Sequence, residues 1–226
     1  MFLQVTNELL KGFGLTVLLF AVTLVAAIPL GFLISFCSMT KFKPVKWLTK
    51  AFIWVIRGTP LMLQIIVISF IPSTVFGIYN KQISIFLNTT VANVNFIFVC
   101  IAFVINYAAY FSEIFRGGIQ AIPAGQHEAA KVLGMSKKQT FFKIILPQVV
   151  KRITPPMSNE IITLVKDTSL ARIIGVVEII MAAETALNKY VVIWPLFYAG
   201  LFYLLFNGAL TLLFAYIERK LDYYKI

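Results

Sequence analysis

Five long apolar runs separated by short polar connections constrain this chain more than any other feature of its sequence. They extend from about Leu9 to Met39, Phe52 to Ile78, Val91 to Phe111, Ile153 to Met181 and Tyr190 to Ile217. A helix needs about 20 apolar residues to cross the hydrocarbon core of a bilayer, and each run reaches that length. Composition agrees, since 60% of the 226 residues are hydrophobic and 13% charged, far from the balance of a soluble domain. The expected fold is therefore all-α, a single polytopic membrane domain over residues 1–226 with five transmembrane helices. The first run contains Pro29, but no polar turn lies there and proline is tolerated within membrane helices, so it is read as one span. The opening MFLQVTNELLKGFG lacks a basic leader and runs into a stretch too long for the apolar core of a cleaved signal, which predicts an uncleaved first helix.

The formal charge is +11, and its distribution separates a membrane orientation signal from a nucleic-acid surface. Lys41, Lys43, Lys46 and Lys50 follow the first run, and Arg116, Lys131, Lys137, Lys138, Lys143, Lys151 and Arg152 follow the third. Cytoplasmic loops carry such an excess, so these connections and the C-terminal ERKLDYYK are predicted to be cytoplasmic. Five spans then put the N-terminus outside. The outer connections fit, because residues 72–95 carry only Lys81 and residues 182–190 only Glu184 and Lys189 among charged groups. No nucleic-acid partner is expected. Cys37 and Cys100 lie in or beside apolar runs at no metal or redox spacing, and are read as small hydrophobes.

The one long hydrophilic interlude covers about 112–152, where Pro123 and Gly134 punctuate two or three short helices and Pro147 precedes the next span. Within it stands EAAKVLGMSKKQTFFKIILP. Ala129 and Ala130 are small enough to let a short helix lie in a partner's groove, and Gly134 permits a bend between helical pieces. The alternative is an amphipathic loop resting on lipid headgroups through its lysines. His127, the only histidine, is read as a solvated residue.

Two further clusters carry polarity into the apolar runs. Arg57-Gly58-Thr59-Pro60 opens the second, where proline removes a backbone donor and glycine relaxes the dihedrals, so a break is expected that frees carbonyls and amides to meet a zwitterion. Arg57 either faces that cavity or snorkels to the interface. The fourth run carries Glu160, Lys166, Asp167, Arg172 and Glu178. On one continuous helix, steps of 7 and 11 would align Glu160, Asp167 and Glu178 within about 20°, with Lys166 and Arg172 on the flanks. Such a stripe suits a polar pathway or an ion-paired subunit interface. Pro155 and Pro156 are expected in a first turn at the start of that span.

No Gly-x-x-x-x-Gly-Lys-Ser/Thr occurs, so the usual nucleotide cradle is missing, and no Ser/His/Asp, histidine-cluster or paired-carboxylate arrangement marks an enzyme or a metal site. The pattern Glu128-Ala129-Ala130, Gly134, Ile144, Leu146 and Pro147 resembles the EAA loop of ABC importer permease subunits. The wider YFSEIFRGGIQAIPAGQHEAAKVLGM resembles the polar amino-acid uptake permeases, the histidine, glutamine and arginine type. Arg57-Gly58-Thr59-Pro60 and Lys166-Asp167-Thr168-Ser169-Leu170 are similar to segments of the same family, and the likeness runs from about Gly12 through the fifth run.

That resemblance implies the type I ABC importer transmembrane fold and a multi-pass subunit of a bacterial cytoplasmic membrane. It implies a substrate path through Arg57, Gly58, Thr59, Glu160, Lys166, Asp167, Thr168 and Ser169, although Lys166 and Asp167 could instead neutralise groups on a paired subunit. It implies ATPase coupling through Glu128, Ala129, Ala130 and Gly134. The implied partners are ABC ATPase subunits that bind ATP and Mg, leaving no cofactor in this chain. The others are an extracytoplasmic amino-acid-binding protein, a second permease subunit, identical or homologous, a polar amino acid, and membrane lipid. An ion-coupled secondary amino-acid transporter is the alternative reading.

Overall fold

A computed structural model describes residues 1–222; Tyr223, Tyr224 and Lys225 of the ERKLDYYK segment lie outside the described residues. These residues form helices and contain no strand. The first run is one helix, α1 (Phe2–Met39), continuous through Pro29. The second run is two helices, α2 (Lys43–Gly58) and α3 (Leu61–Val75), bent by 109° at the Thr59-Pro60 break. A short α4 (Asn80–Phe86) leads into α5 (Val91–Gln120), which continues the third run beyond Phe111. Then come α6 (Ala124–Val132), α7 (Lys137–Thr140), a π turn (Phe141–Ile145) and α8 (Leu146–Asp167). A 3-10 turn (Thr168–Ile174) separates α8 from α9 (Ile179–Tyr190), and α10 (Trp194–Leu221) ends the description.

Among the described residues, α1, α5 and α10 are long and apolar enough to cross a membrane, and the bent α2–α3 pair supplies a fourth candidate. The fourth run departs from expectation. Its helix stops at Asp167, where Thr168 turns its hydroxyl onto the Val165 carbonyl and the chain tightens to 3-10 geometry. Gly175, at φ +80°, then ends the turn in the left-handed region. Glu178 therefore leaves the face shared by Glu160 and Asp167, and the predicted three-carboxylate stripe does not form. Pro155 and Pro156 lie inside α8 rather than in its first turn, a position Pro147 takes instead.

The core centres on α5. Phe103, Tyr107, Ala108 and Phe111 of α5 pack against Leu19 and Ala27 of α1, Ile65 of α3, and Ile161 and Leu164 of α8. Buried hydroxyls are absorbed by their own helices, as Thr23 donates to the Leu19 carbonyl at 2.7 Å and Ser69 to that of Ile65 at 2.7 Å. Small residues let α1 and α5 approach closely. A Cβ on Gly31 would sit 2.8 Å from the Ala108 carbonyl oxygen and 2.9 Å from Phe111 Cβ. Gly31→Val is accordingly expected to destabilise the bundle by about 2–3 kcal/mol through overpacking, read as a lower melting temperature in lipid nanodiscs. Gly14→Val, where a Cβ meets nothing within 4 Å, should change it far less.

Candidate functional site: a polar cavity at the helix break

The break at Thr59-Pro60 opens one wall of a cavity of about 620 Å³. Arg57, Gly58, Thr59 and Pro60 come from that wall, Asn106, Tyr107 and Tyr110 from α5, and Glu160, Thr163 and Asp167 from α8. Glu160 and Asp167 are seven residues apart, about 20° around the helix, so the α8 face presents both carboxylates to the same space. Their surroundings differ. Asp167 accepts a hydrogen bond from the Tyr107 hydroxyl at 2.7 Å, whereas Glu160 makes no hydrogen bond or ion pair among the described residues. Across the cavity, the Arg57 guanidinium lies 5.0 Å from the Tyr110 ring centroid and 4.0 Å from a Glu113 oxygen. One cation and two carboxylates thus line the same cavity wall to wall.

The expected free carbonyls of the break are occupied. The Gln64 side-chain amide donates to the carbonyl of Ile56 at 2.8 Å, to that of Thr59 at 3.1 Å and to the Thr59 hydroxyl at 2.8 Å. Gln64 is held in turn by the Asn106 amide, which donates to its oxygen at 3.0 Å. The kink is a fixed, hydrogen-bonded corner, and a zwitterion would meet side chains there rather than bare backbone acceptors.

Five of the eight residues expected on a substrate path line the cavity: Arg57, Gly58, Thr59, Glu160 and Asp167. Lys166, Thr168 and Ser169 do not. Lys166 is exposed, Thr168 is fully buried and lies 3.4 Å from the Tyr203 hydroxyl, and Ser169 donates to the Lys166 carbonyl. Sequence reasoning missed Gln64, Asn106, Tyr107, Tyr110 and Thr163. The signal was there, because Asn106, Tyr110 and Glu113 recur at i, i+4 and i+7 in an otherwise apolar run and so share a face.

Glu178 has a separate role. Completely buried, it caps α9, accepting from the amides of Ile180 and Met181 at 2.8 Å each and from the Tyr203 hydroxyl at 3.2 Å. A carboxylate there satisfies orphan amides and meets the positive end of the helix. Glu178→Ala removes the acceptor of three partly buried donors, so a loss of about 2–3 kcal/mol is expected by thermal unfolding in nanodiscs, and Glu178→Gln, which keeps one acceptor oxygen, should lose less. Arg172, once placed on the flank of the stripe, pairs instead with Glu184 of α9.

The hydrophilic interlude forms a second surface. At the end of α6, the Met135 amide donates to the Ala130 carbonyl and the Gly134 amide to that of Lys131, both at 3.0 Å, with Gly134 at φ +67°. That is a Schellman stop. Two residues later Ser136 and Gln139 form a capping box that starts α7. Glu128, Ala129 and Gly134 are exposed, while Ala130 is buried within its own chain and is not presented to a partner. Val132 and Leu133 lie beside them, 86% and 78% exposed.

Residues 27–223, which include both surfaces, match the family model described as binding-protein-dependent transport system inner membrane component. The chain belongs to this family. As a family member it is a transmembrane permease component of an ABC import system, with ATP hydrolysis on a separate subunit. It is 33% identical to the arginine transport system permease protein ArtQ of Bacillus subtilis (strain 168), over 94% of this chain and 92% of that protein. It is also 33% identical to the L-cystine transport system permease protein TcyB of the same organism, over 94% and 86%. A crystal structure of an amino acid ABC transporter with histidines superposes with a TM-score of 0.79 at 28% identity, covering 97% of this permease and 96% of that chain.

Proposed function

We propose that the chain is the membrane permease of an ATP-driven importer of polar amino acids, and that the cavity at the helix break is where the amino acid crosses. The carrying observation is the placement of Arg57 opposite Glu160 and Asp167 in one cavity. A zwitterion needs a cation for its carboxylate and an anion for its ammonium, and here both come from fixed helices. The relatives named for arginine and cystine transport support the same substrate class.

Five crossings, by α1, α3, α5, α8 and α10, orient the chain with its N-terminus outside and its C-terminus in the cytoplasm, in a bacterial cytoplasmic membrane. Two ion pairs support this order: Lys151 near the start of α8 meets Asp222 after α10 at 3.4 Å, and Lys189 near the end of α9 meets Glu8 in α1 at 3.7 Å. Each pair joins ends that this topology puts on one side.

Two such subunits, identical or homologous, form the pathway about a twofold axis. An extracytoplasmic binding protein delivers the amino acid. ATP closes the partner ATPases, and their motion reaches the pathway through the exposed Glu128, Ala129 and Gly134 with Val132 and Leu133, reversing which side the cavity opens to. The test is uptake of a labelled amino acid panel into vesicles energised in turn by ATP and by an ion gradient. Uptake that needs ATP and the binding protein supports the proposal; uptake that follows the gradient without ATP replaces it with an ion-coupled secondary transporter.

A further inference from the structure

A second cavity, of about 460 Å³, lies between α2 and the C-terminal part of α5. Lys50, Trp54 and Arg57 line it from α2, and Glu113 and Arg116 from α5. Three cations face one carboxylate. Glu113 accepts two hydrogen bonds from Arg116, from Nε at 2.9 Å and from Nη2 at 2.5 Å, and lies 4.0 Å from Arg57, so it holds both guanidinium groups at the cavity edge. Lys50 has no hydrogen bond or ion pair among the described residues. The site therefore has surplus positive charge, with its two guanidinium groups held by Glu113 and Lys50 left over, a receptor for an anion rather than a closed ion pair.

The rest of α2 indicates where that anion comes from. At about 100° per residue, Lys43, Lys46, Lys50 and Arg57 share an arc of about 100° with Trp47 and Trp54, and both tryptophans are more than 70% exposed. Val45, Leu48, Phe52 and Val55 occupy the opposite face and are exposed as well. A helix with an exposed apolar face and a lysine and tryptophan face opposite it lies in the membrane interface, at headgroup depth. The cavity opens on the basic face of that helix.

We propose that this cavity binds the phosphate of an anionic phospholipid headgroup, with Lys50, Arg57 and Arg116 as its donors and Trp54 against the glycerol region. Arg57 also lines the cavity at the helix break, so the bound headgroup holds the guanidinium at the boundary between the two sites. The orientation proposed above puts this headgroup in the inner leaflet; headgroup binding itself does not rest on that orientation.

The full chain in nanodiscs, alone or with any ATPase that co-purifies, provides the test, with phosphatidylglycerol and phosphatidylcholine as probes and retained lipid counted by native mass spectrometry. Phosphatidylglycerol should be retained in preference, and Lys50→Gln should weaken that retention about five-fold, the value of one interfacial lysine. Lys220→Gln, the same charge change near the end of α10, should leave it unchanged. Equal retention of the two lipids, or equal losses in the two variants, would overturn the proposal and reduce the effect to net charge. Millimolar inorganic phosphate in phosphatidylcholine discs separates the sources: a rise in melting temperature equal to that given by phosphatidylglycerol assigns the cavity to a free anion and overturns the lipid. No amino acid or ATP is needed, so these outcomes are independent of the transport reading.

Discussion

Glu160→Gln should cut amino-acid uptake about 100-fold while leaving the chain folded and inserted. The two halves of that expectation have separate physical grounds. Glu160 lines the break cavity without a hydrogen bond or ion pair among the described residues, so no close contact in the fold depends on its charge, and the amide has the same shape. A substrate ammonium, by contrast, loses a charge-assisted hydrogen bond, and a 100-fold change corresponds to about 2.7 kcal/mol, within the range for such bonds. Tyr107→Phe should behave differently. It frees Asp167 from a 2.7 Å hydrogen bond, so uptake should fall about ten-fold and stability should fall with it. Uptake rates in vesicles, set beside melting temperatures of the same preparations, distinguish the two. Full uptake in Glu160→Gln would remove that residue from the pathway.

The second large effect is expected at Gly134, where Val should abolish the stimulation of ATP hydrolysis by substrate. No side chain or backbone lies within 4 Å of a Cβ placed there, so crowding is not the reason. The reason is φ at +67°, which costs a β-branched residue well over 1 kcal/mol and cannot be kept together with both Schellman hydrogen bonds. The turn that aims α6 against α7 would then open and misplace Glu128, Ala129, Val132 and Leu133. Asn enters the left-handed region readily, so Gly134→Asn should retain most of the stimulation. Loss in both variants, measured as the ratio of ATPase rates with and without amino acid, would point to a need for glycine's size instead of its conformation.

Much of this was legible in the sequence, for reasons particular to each element. The long runs gave α1, α5 and α10 because apolar length is a direct signal for helices in lipid. The Gly134 bend and the break at Gly58-Thr59-Pro60 were readable because glycine and proline act locally on the backbone. The fourth run misled because a helical wheel assumes one continuous helix. The 3-10 turn after Asp167 depends on Thr168 bonding back to Val165 and on Gly175 in the left-handed region, and the wheel contains neither. Gln64 was missed because its role at the corner requires that α2 and α3 already be bent by 109°, a three-dimensional fact. Ala130 was expected to face a partner from its small size, but size does not fix direction, and it turns into its own chain. The capping box of Ser136 and Gln139 was a readable pattern that fixes the second half of the turn.

Under the proposed function, an amino acid in the break cavity should control ATP hydrolysis on a separate subunit through the segment around Glu128 and Gly134. The ATPase rate of the reconstituted complex tests it most directly, measured over a panel of amino acids with the binding protein present, in the native chain and in Glu160→Gln and Glu128→Lys. Stimulation by a restricted set of polar amino acids is expected in the native chain and its loss in both variants, with the complex intact in each. Stimulation that persists undiminished in both variants, or no dependence of the rate on any amino acid, would contradict it.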